Sequence, residues 1–347
     1  MRLTRQRLNR TLLLRQHLLE RVGIEPPDLV RHLVGLQAQD PLPPYVSLAA
    51  RLVDLDPYDV SHGLRDKSLA RIVVMRGTIH LLTADDALCL REFSQPALER
   101  ERKVSQNVRP VLHLDRDEFR ARVGEVLVEP MPMKRLGEAL AAGFPDLPPH
   151  ALAHLARIEA PLVQVPPRGC WKESGGVVLA LADRWLGRPT TAPDVADLVR
   201  RYLRAFGPAT AADVTAWSGV TGLAGLVKGM ADLVRHEDEA GKVLYDVADA
   251  PLADEDAAAP VRLLGAYDNV WLSHAARDRV TTPEGRKMWM GSNGGIGNTL
   301  FVDGWLTGIW RVENGRPVIS TLLRELTPSE KQQLDDELGR VEALLVR

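Results

Sequence analysis

The order of predicted elements is the feature that most limits what this chain can fold into. Three times along its 347 residues, a group of helical patterns is followed by two short β-rich runs around a turn. The clearest case is the first, in which residues 72–75 and 78–82 flank Arg76-Gly77. Two β-rich runs around a glycine turn are typical of a hairpin. Helices followed by a hairpin are the order of a winged helix, a helix-turn-helix variant with a β wing.

The same order recurs in the middle of the chain. Helical patterns over residues 117–160 precede a short apolar run at residues 162–165. A Pro-Pro-Arg-Gly turn then leads to Trp171-Lys172. These two runs predict a second hairpin, with Trp171-Lys172 in its second strand.

The third instance carries the strongest helix-turn-helix signal. After an amphipathic helix, Thr210-x-x-Asp213 forms a capping box that opens a short helix. A turn over residues 218–223 leads to a further helix that runs to about His236, and residues 241–246 begin a third wing. Beyond these, Asp303-Gly304 lies between two β-rich runs and predicts another hairpin.

These patterns predict an α+β fold, mainly α, built from three tandem winged-helix motifs. Small units of this kind fit the length better than two large domains. The predicted boundaries give winged helix 1 at residues 1–85, winged helix 2 at 86–190, winged helix 3 with a C-terminal hairpin at 191–325, and a terminal helix at 326–347.

The charge balance excludes attraction to nucleic acid through bulk charge. Lys and Arg number 44 and Asp and Glu 46, a formal net charge of -2, so DNA contacts must come from local patches. Neither Cys89 nor Cys170 lies in a CxxC or Cys/His cluster, so no disulfide framework or metal site is predicted. A polar N-terminal stretch and the lack of a run of roughly 20 apolar residues favour a cytoplasmic protein without a membrane segment.

Gln37-Ala38-Gln39 is the strongest candidate for chemistry. The motif ends a helical pattern that Asp40-Pro41 terminates, because a residue before proline is pushed out of the α region. An extended segment at that point would place both amides on one face. The alternative is a polar helix end whose amides are satisfied by backbone groups, and spacing alone favours that alternative.

With its surroundings, the motif resembles the AlkZ-like winged-helix DNA glycosylases. The matching segments are Leu3-Thr4-x-x-x-Leu8-x-Arg10, Gly35-Leu36-Gln37-Ala38-Gln39-Asp40-Pro41, Arg76-Gly77-Thr78-Ile79-His80-Leu81, residues 202–219, Tyr267-Asp268-Asn269 and Val302-Asp303-Gly304-x-x-x-Gly308-x-Trp310-Arg311. The resemblance implies that Gln37 and Gln39 form a catalytic Gln-apolar-Gln motif and that the three units form a C-shaped DNA channel. It also implies excision of alkylated purines, including crosslinking adducts, as in resistance enzymes for natural products such as azinomycin.

The chemistry of such lesions permits amides. A glutamine only donates and accepts hydrogen bonds near neutral pH. An N7-alkylguanine is already cationic, so it leaves as a neutral base, and the enzyme need only place a water and stabilise the oxocarbenium-like sugar. The resemblance therefore implies a monofunctional glycosylase that needs no cofactor, acts on double-stranded DNA carrying alkylated purines, and leaves an abasic site.

Local basic clusters are the candidates for DNA contacts, with solvated helix faces as the alternative for any single member. The predicted DNA-binding residues are Arg5, Arg7, Arg10, Arg76, His80, Arg277 and Arg279. The glycine-rich run at residues 291–297 is expected to be a hairpin loop that reaches into a DNA groove, or a simple surface loop. A channel made within one chain makes a monomer sufficient.

Two other functions fit the same residues. A non-catalytic winged-helix regulator would bind undamaged DNA without releasing a base, and a sequestering protein would bind the toxin itself without DNA. The two amides and the lack of an evident effector domain count against the regulator.

Overall fold

The computed structural model describes residues 1–289 and 297–347, which form an α+β fold dominated by helices. The helices are α1 (Arg5–Arg15), α2 (Pro26–His32), α3 (Leu42–Ala49), α4 (Pro57–Asp66), α5 (Ala84–Phe93), α6 (Gln95–Val104), α7 (Arg116–Val126), α8 (Met133–Ala141), α9 (Pro149–Glu159), α10 (Ala182–Leu186), α11 (Val195–Phe206), α12 (Ala211–Ser218), α13 (Leu223–Gly229), α14 (Asn269–Leu272), α15 (Pro283–Trp289) and α16 (Pro328–Val346). The strands are β1 (Leu36–Gln37), β2 (Leu69–Val73), β3 (Ile79–Thr83), β4 (Met131–Pro132), β5 (Leu162–Gln164), β6 (Val178–Leu181), β7 (Leu233–Glu237), β8 (Val243–Val247), β9 (Arg262–Leu264), β10 (Asn298–Val302), β11 (Trp305–Glu313) and β12 (Arg316–Leu322). The predicted α+β class is confirmed. None of the helices in these two ranges is long and apolar enough to cross a membrane.

The glycine-rich run that the sequence predicts as a loop falls almost entirely outside the described residues. Of residues 291–297, only Gly297 is described.

Six strands form one antiparallel sheet in the order β1-β3-β2-β5-β6-β4. The hairpin of β2 and β3 is the one predicted around Arg76-Gly77, and it pairs Ile72 with His80. β1 lies at one edge, with Gln37 opposite His80. On the other side of the hairpin, β5 pairs with β2. The first and second predicted wings therefore belong to a single sheet, whose edge carries the Gln37 strand.

The second hairpin differs from its prediction. β5 pairs with β6, and Trp171-Lys172 is not its partner. The Trp171 ring is buried with its centroid 4.8 Å from that of Tyr45, and its backbone N–H donates to Ser61 Oγ at 2.8 Å. These contacts draw the segment before β6 into the core, so the strand begins only beyond it.

The third region contains helix, turn, helix and hairpin in that order. α12 begins with the predicted capping box, in which the side chains of Thr210 and Asp213 each accept from the other's backbone N–H. α13, however, ends at Gly229, so the prediction of helix as far as His236 is wrong. That segment forms β7, because it finds partners in β8 and at the N-terminus, where Leu3 N donates to Glu237 O at 2.8 Å.

A second sheet, in the order β12-β11-β10-β9, contains the predicted hairpin at Asp303-Gly304. Its apolar face packs with α3 and α16 around Leu300, Trp310 and Val341. The Nε1 of buried Trp310 donates to Leu264 O at 3.1 Å. This sheet and α16 form a separate small core beside the main one.

Candidate functional site

Gln37 and Gln39 lie on the edge strand β1 and the residues that follow it. α2 ends after His32, and Val34 and Gly35 turn the chain with positive φ values of 50° and 94°. A side chain at Gly35 would collide with Leu82, so the turn requires a residue without Cβ. Because neighbouring strand residues point to opposite faces, Gln37 and Gln39 share the face of His80.

Two side chains hold this strand through its backbone. Buried Arg71 donates from Nη2 to Ala38 O at 2.7 Å. Asn269, from the short helix α14, donates from Nδ2 to Gly35 O at 2.9 Å and to Leu33 O at 3.3 Å. Burial lowers the pKa of Arg71 to about 10, which still leaves the guanidinium charged near neutral pH. No sequence signal predicted a role for Arg71 or Asn269 in holding the two amides.

The groups that donate hydrogen bonds to the Gln37 side-chain oxygen set the orientation of this amide. Gln37 is 7% exposed, and its Oε1 accepts from Arg76 Nη2 at 3.2 Å and from Thr78 Oγ1 at 3.3 Å. A guanidinium has no acceptor, so the oxygen of the amide must face it. The two bonds use both lone pairs of Oε1, and the Nε2 group therefore points away from Arg76 with its two N–H donors.

The Gln39 amide is oriented in the same sense but can form more additional hydrogen bonds than the Gln37 amide. Its Oε1 accepts from the backbone N–H of Ile79 at 2.9 Å. A backbone N–H is also only a donor, so again the oxygen faces the protein. One lone pair of this oxygen remains unused by that bond. Exposed Gln39 can thus accept one further hydrogen bond and donate two.

His80 contacts Arg76 from the interior of the protein. It is too buried to contact DNA, contrary to its prediction as a DNA contact. It is 1% exposed, with Nε2 3.1 Å from Arg76 Nη2 and Nδ1 3.0 Å from Thr78 O. Burial, and then the charge of Arg76, lower the pKa of His80 to about 3. The ring is therefore neutral: Nδ1–H donates to Thr78 O, and Nε2 accepts from Arg76.

Arg76 connects this hairpin to α12. Its backbone takes a left-handed φ of 56°, and its Nη1 donates to Trp217 O near the end of α12. A Cβ at Gly219 would come within 3.0 Å of the Arg76 backbone, so the two segments are in close contact. Burial, with a smaller contribution from the like charge of Arg277, lowers the pKa of Arg76 to about 10. Arg76 is half-buried, borders the site through its contact with Gln37, and lies near Arg277.

Arg10 was predicted to contact DNA, and the structure corrects this. It is 3% exposed, donates to Ala257 O at 2.7 Å and to Asp303 O at 2.9 Å, and pairs with the Asp303 carboxylate. A guanidinium enclosed in this way cannot reach a phosphate. Its neighbour Arg7 is half-buried and donates to Ala253 O at 3.2 Å.

The remaining predicted contacts lie around the segment before α15. Exposed Arg5 donates to Thr281 O at 3.0 Å and stands 4.7 Å from the centre of the Trp305 ring. Arg277 is half-buried and Arg279 is buried. The structure therefore brings Gln37, Gln39, Arg76 and His80 together, with Arg277 adjoining through Arg76. Arg10 is enclosed by other segments, whereas Arg7 contacts Ala253 and keeps part of its side chain exposed.

The chain is similar to known proteins in both sequence and fold. The family model described as DNA glycosylase AlkZ-like matches residues 30–344. An interstrand DNA cross-link repair glycosylase from Streptomyces sahachiroi is 27% identical over 334 residues, which cover 88% of this chain and 87% of the relative. The solved structure of the DNA glycosylase AlkZ from Streptomyces sahachiroi has the same fold, with a TM-score of 0.78 and 22% identity over 100% of this chain and 98% of that one. Because the family model spans most of the sequence, the chain belongs to the AlkZ-like DNA glycosylase family.

Proposed function

We propose that this chain hydrolyses the N-glycosidic bond of N7-alkylated purines in double-stranded DNA and leaves an abasic site. The observation that carries the proposal is the pair of amides on one face of β1 and the extended residues that follow it, each held with its oxygen toward the protein. Membership of the family supports base excision as the reaction. Within residues 1–289 and 297–347 no lysine hydrogen-bonds to Gln37 or Gln39 as a Schiff-base nucleophile beside them would, and we propose a monofunctional enzyme.

The reaction asks little acid–base chemistry of these residues. When the glycosidic bond breaks, its electron pair neutralises the cationic purine, and a water oxygen bonds to C1′ of the sugar and releases a proton to solvent. The protein must hold that water and exclude wrong orientations. Neutral amides can do this because they offer both donors and acceptors at fixed positions.

The hydrogen bonds of the two amides give them different tasks. Gln37 Oε1 already accepts two bonds, so Gln37 can act only as a donor through Nε2. Gln39 Oε1 has one lone pair left and can accept from the attacking water. In this arrangement Gln37 donates to the water and Gln39 accepts from it, which leaves the second lone pair of the water for C1′. Arg76, with His80 behind it, is a positioning residue that keeps Gln37 in the donor orientation.

The test is release of 7-methylguanine from methylated duplex DNA. Gln37→Ala and Gln39→Ala should each lower the rate by on the order of 10²-fold, as loss of one positioned polar group does in other enzymes. Gln37→Glu keeps an acceptor for Arg76 but loses the outward donor, so it should be as inactive as Gln37→Ala. Gln39→Glu keeps the outward acceptor and should retain more activity than Gln39→Ala.

Gln106→Ala, at an exposed position, is the matched control, and circular dichroism checks the folding of each variant. Equal losses in the two Glu variants would reject the division of tasks. A wild type that releases no base from 7-methylguanine or a bulkier N7 adduct, yet binds undamaged DNA, would replace the proposal with the regulator.

We extend the proposal to interstrand crosslinks of the azinomycin type and hence to self-resistance. The relative from Streptomyces sahachiroi is named for cross-link repair. A base tied to the opposite strand cannot rotate freely into a deep pocket, as most glycosylases require. Here the amides lie on the outermost strand of a sheet, and Gln39 is exposed. Such amides can approach the sugar of a base that stays in the duplex.

We also propose that three winged-helix units, with the boundaries predicted from the sequence, enclose one duplex in a C-shaped channel within a monomer. The helix-turn-helix-hairpin order of α12, α13, β7 and β8 supports this. So does the contact between the end of α12 and the first hairpin. Arg5, Arg7 and Arg277 are the proposed phosphate contacts, because each keeps some exposed surface.

A further inference from the structure

A groove of about 730 Å³ opens between the segment that precedes α15 and α15 itself. Its polar lining consists of Arg277, Asp278, Thr281, Thr282, Arg286 and Lys287. Three cations and a single carboxylate thus line one open space.

The cations of this groove form no ion pair with any described carboxylate. Among the ion pairs formed within residues 1–289 and 297–347, none includes Arg277, Arg286 or Lys287. Asp278 lines the groove but is not within ion-pair distance of them. In addition, Nη1 of Arg277 is buried and has no hydrogen-bond partner in the described part of the chain. A charged N–H without an acceptor destabilises the protein unless a ligand or water supplies one.

The cations continue from the groove toward the amides. Burial and the neighbouring charge of Arg286 lower the pKa of Arg277, with Asp213 acting in the opposite direction. Arg277 in turn acts on Arg76, whose Nη2 is 3.2 Å from Gln37 Oε1. Hydrogen bonds connect the two regions through α12: Arg76 donates to Trp217 O, and Asp213 Oδ1 accepts from the backbone N–H of Ala275, two residues before Arg277, at 2.9 Å. Cations gathered in one groove repel one another unless an anion lies among them.

Both walls of the groove are held by contacts within the protein. On one side, Arg5 holds the backbone carbonyls of Asp278 and Thr281. On the other, α15 is anchored by buried Trp289, whose ring centroid lies 4.1 Å from that of Trp271. A site with fixed walls loses little conformational entropy on binding.

We propose that this groove binds a phosphodiester group of the damaged strand, next to the nucleotide whose glycosidic bond Gln37 and Gln39 face. The inference rests on the proposed function. Guanidinium forks match the paired oxygens of a phosphate, and the Lys287 ammonium adds a point charge. The bound phosphate supplies the anion that the cations of the groove lack and fixes the sugar beside it at the amides.

The experiment compares two double variants that remove the same net charge. Arg286→Gln/Lys287→Gln neutralises two exposed groove residues, and Lys134→Gln/Lys331→Gln neutralises two exposed residues on α8 and α16. Binding of a short undamaged duplex is measured by fluorescence anisotropy over a range of salt concentrations. Each phosphate contact that is lost lowers the slope of log K against log salt by about 1. We expect a slope reduced by about 2 in the groove variant and little changed in the control.

Equal slopes in the two double variants would overturn the inference. Arg277→Met is a third variant, and its slope should also fall by about 1. Thermal unfolding of every variant shows whether a loss reflects misfolding. Inorganic phosphate at constant ionic strength should weaken duplex binding by the wild type more than by Arg277→Met, and equal effects on the two would show that the duplex does not use the groove.

These binding data are independent of base release. If the wild type releases no base but the groove variant still shows a reduced slope of log K against log salt, the glycosylase proposal is rejected and the groove remains a DNA site. Normal release of 7-methylguanine, with no slope change in the groove variant, would reject the groove and keep the glycosylase.

Discussion

Arg10 and Arg15 of α1 and the arginines around α15 are the same residue type in two opposite settings. In α1, Arg10 and Arg15 face inward and bind carboxylates and carbonyls from distant parts of the chain. Around α15, Arg277 and Arg286 line a groove and pair with no carboxylate there. Both groups follow similar basic patterns in the sequence. The difference teaches that the acceptors a fold supplies, rather than the density of arginines, decide which of them are left for DNA.

Arg15 is the extreme case of the first setting. Its two terminal nitrogens each donate at 2.8 Å to one oxygen of Asp246, and both side chains are 1% exposed. Further bonds reach Leu203 O at 2.9 Å, Pro251 O at 3.0 Å and Ala250 O at 3.4 Å. Every direction in which this guanidinium can donate is thus used within the protein.

The largest effect that would test this comparison is on stability. Arg15→Met leaves Asp246 buried without its cation, and we expect the free energy of unfolding to fall by about 3–5 kcal/mol. Urea denaturation measures the change. Arg15→Met/Asp246→Leu removes both charges and should recover much of the loss. A single variant as stable as the wild type would show that Arg15 is not structural.

A smaller loss of stability is expected at Arg10. Its carboxylate partner Asp303 has a side chain that is 60% exposed, so Asp303 remains hydrated when Arg10 is removed. We expect Arg10→Met to lower the free energy of unfolding by about 1.5–3 kcal/mol, the range for a hydrogen bond to a charged group. The salt dependence of DNA binding should stay that of the wild type. A reduced slope would show that Arg10 reaches DNA and would break the comparison.

The smallest effect concerns the one carboxylate in the groove. Asp278→Asn removes a negative charge near the bound phosphate without altering the carbonyl that Arg5 binds. Duplex binding should strengthen by about 0.2–1 kcal/mol at low salt, the range for exposed charge pairs. Asp335→Asn, at an exposed position on α16, is the matched control. Weaker binding by the Asp278 variant would place the phosphate elsewhere.

Local signals predicted much of the fold. The hairpin at Arg76-Gly77 and the capping box of Thr210 and Asp213 are found where the sequence predicts them, because both are determined by residues only a few positions apart. The segment before His236 was predicted as helix and is β7, since its partners come from β8 and from the N-terminus. Pairing between distant segments overrides a weak local preference.

The candidate site, like the fold, could be predicted from the sequence only in part. The motif itself indicated two amides on one face of an extended segment. The contacts that orient them were not visible, because Arg71 reaches Ala38 across 33 residues and Asn269 reaches Gly35 across 234. The role of Arg10 was missed for the same reason, since Asp303 lies 293 residues away in the chain. A side chain bonded to a distant backbone carbonyl leaves no periodic trace in a sequence.

The hydrogen bond from Asn269 to Gly35 determines when the site can be completed during protein synthesis. A ribosome that adds about 5–20 residues per second needs on the order of 10–50 s to proceed from one to the other. For that interval the nascent chain already contains Gln37 and Gln39 but lacks the residue that secures the turn before them. The two amides thus acquire their full support only after residue 269 has been synthesised.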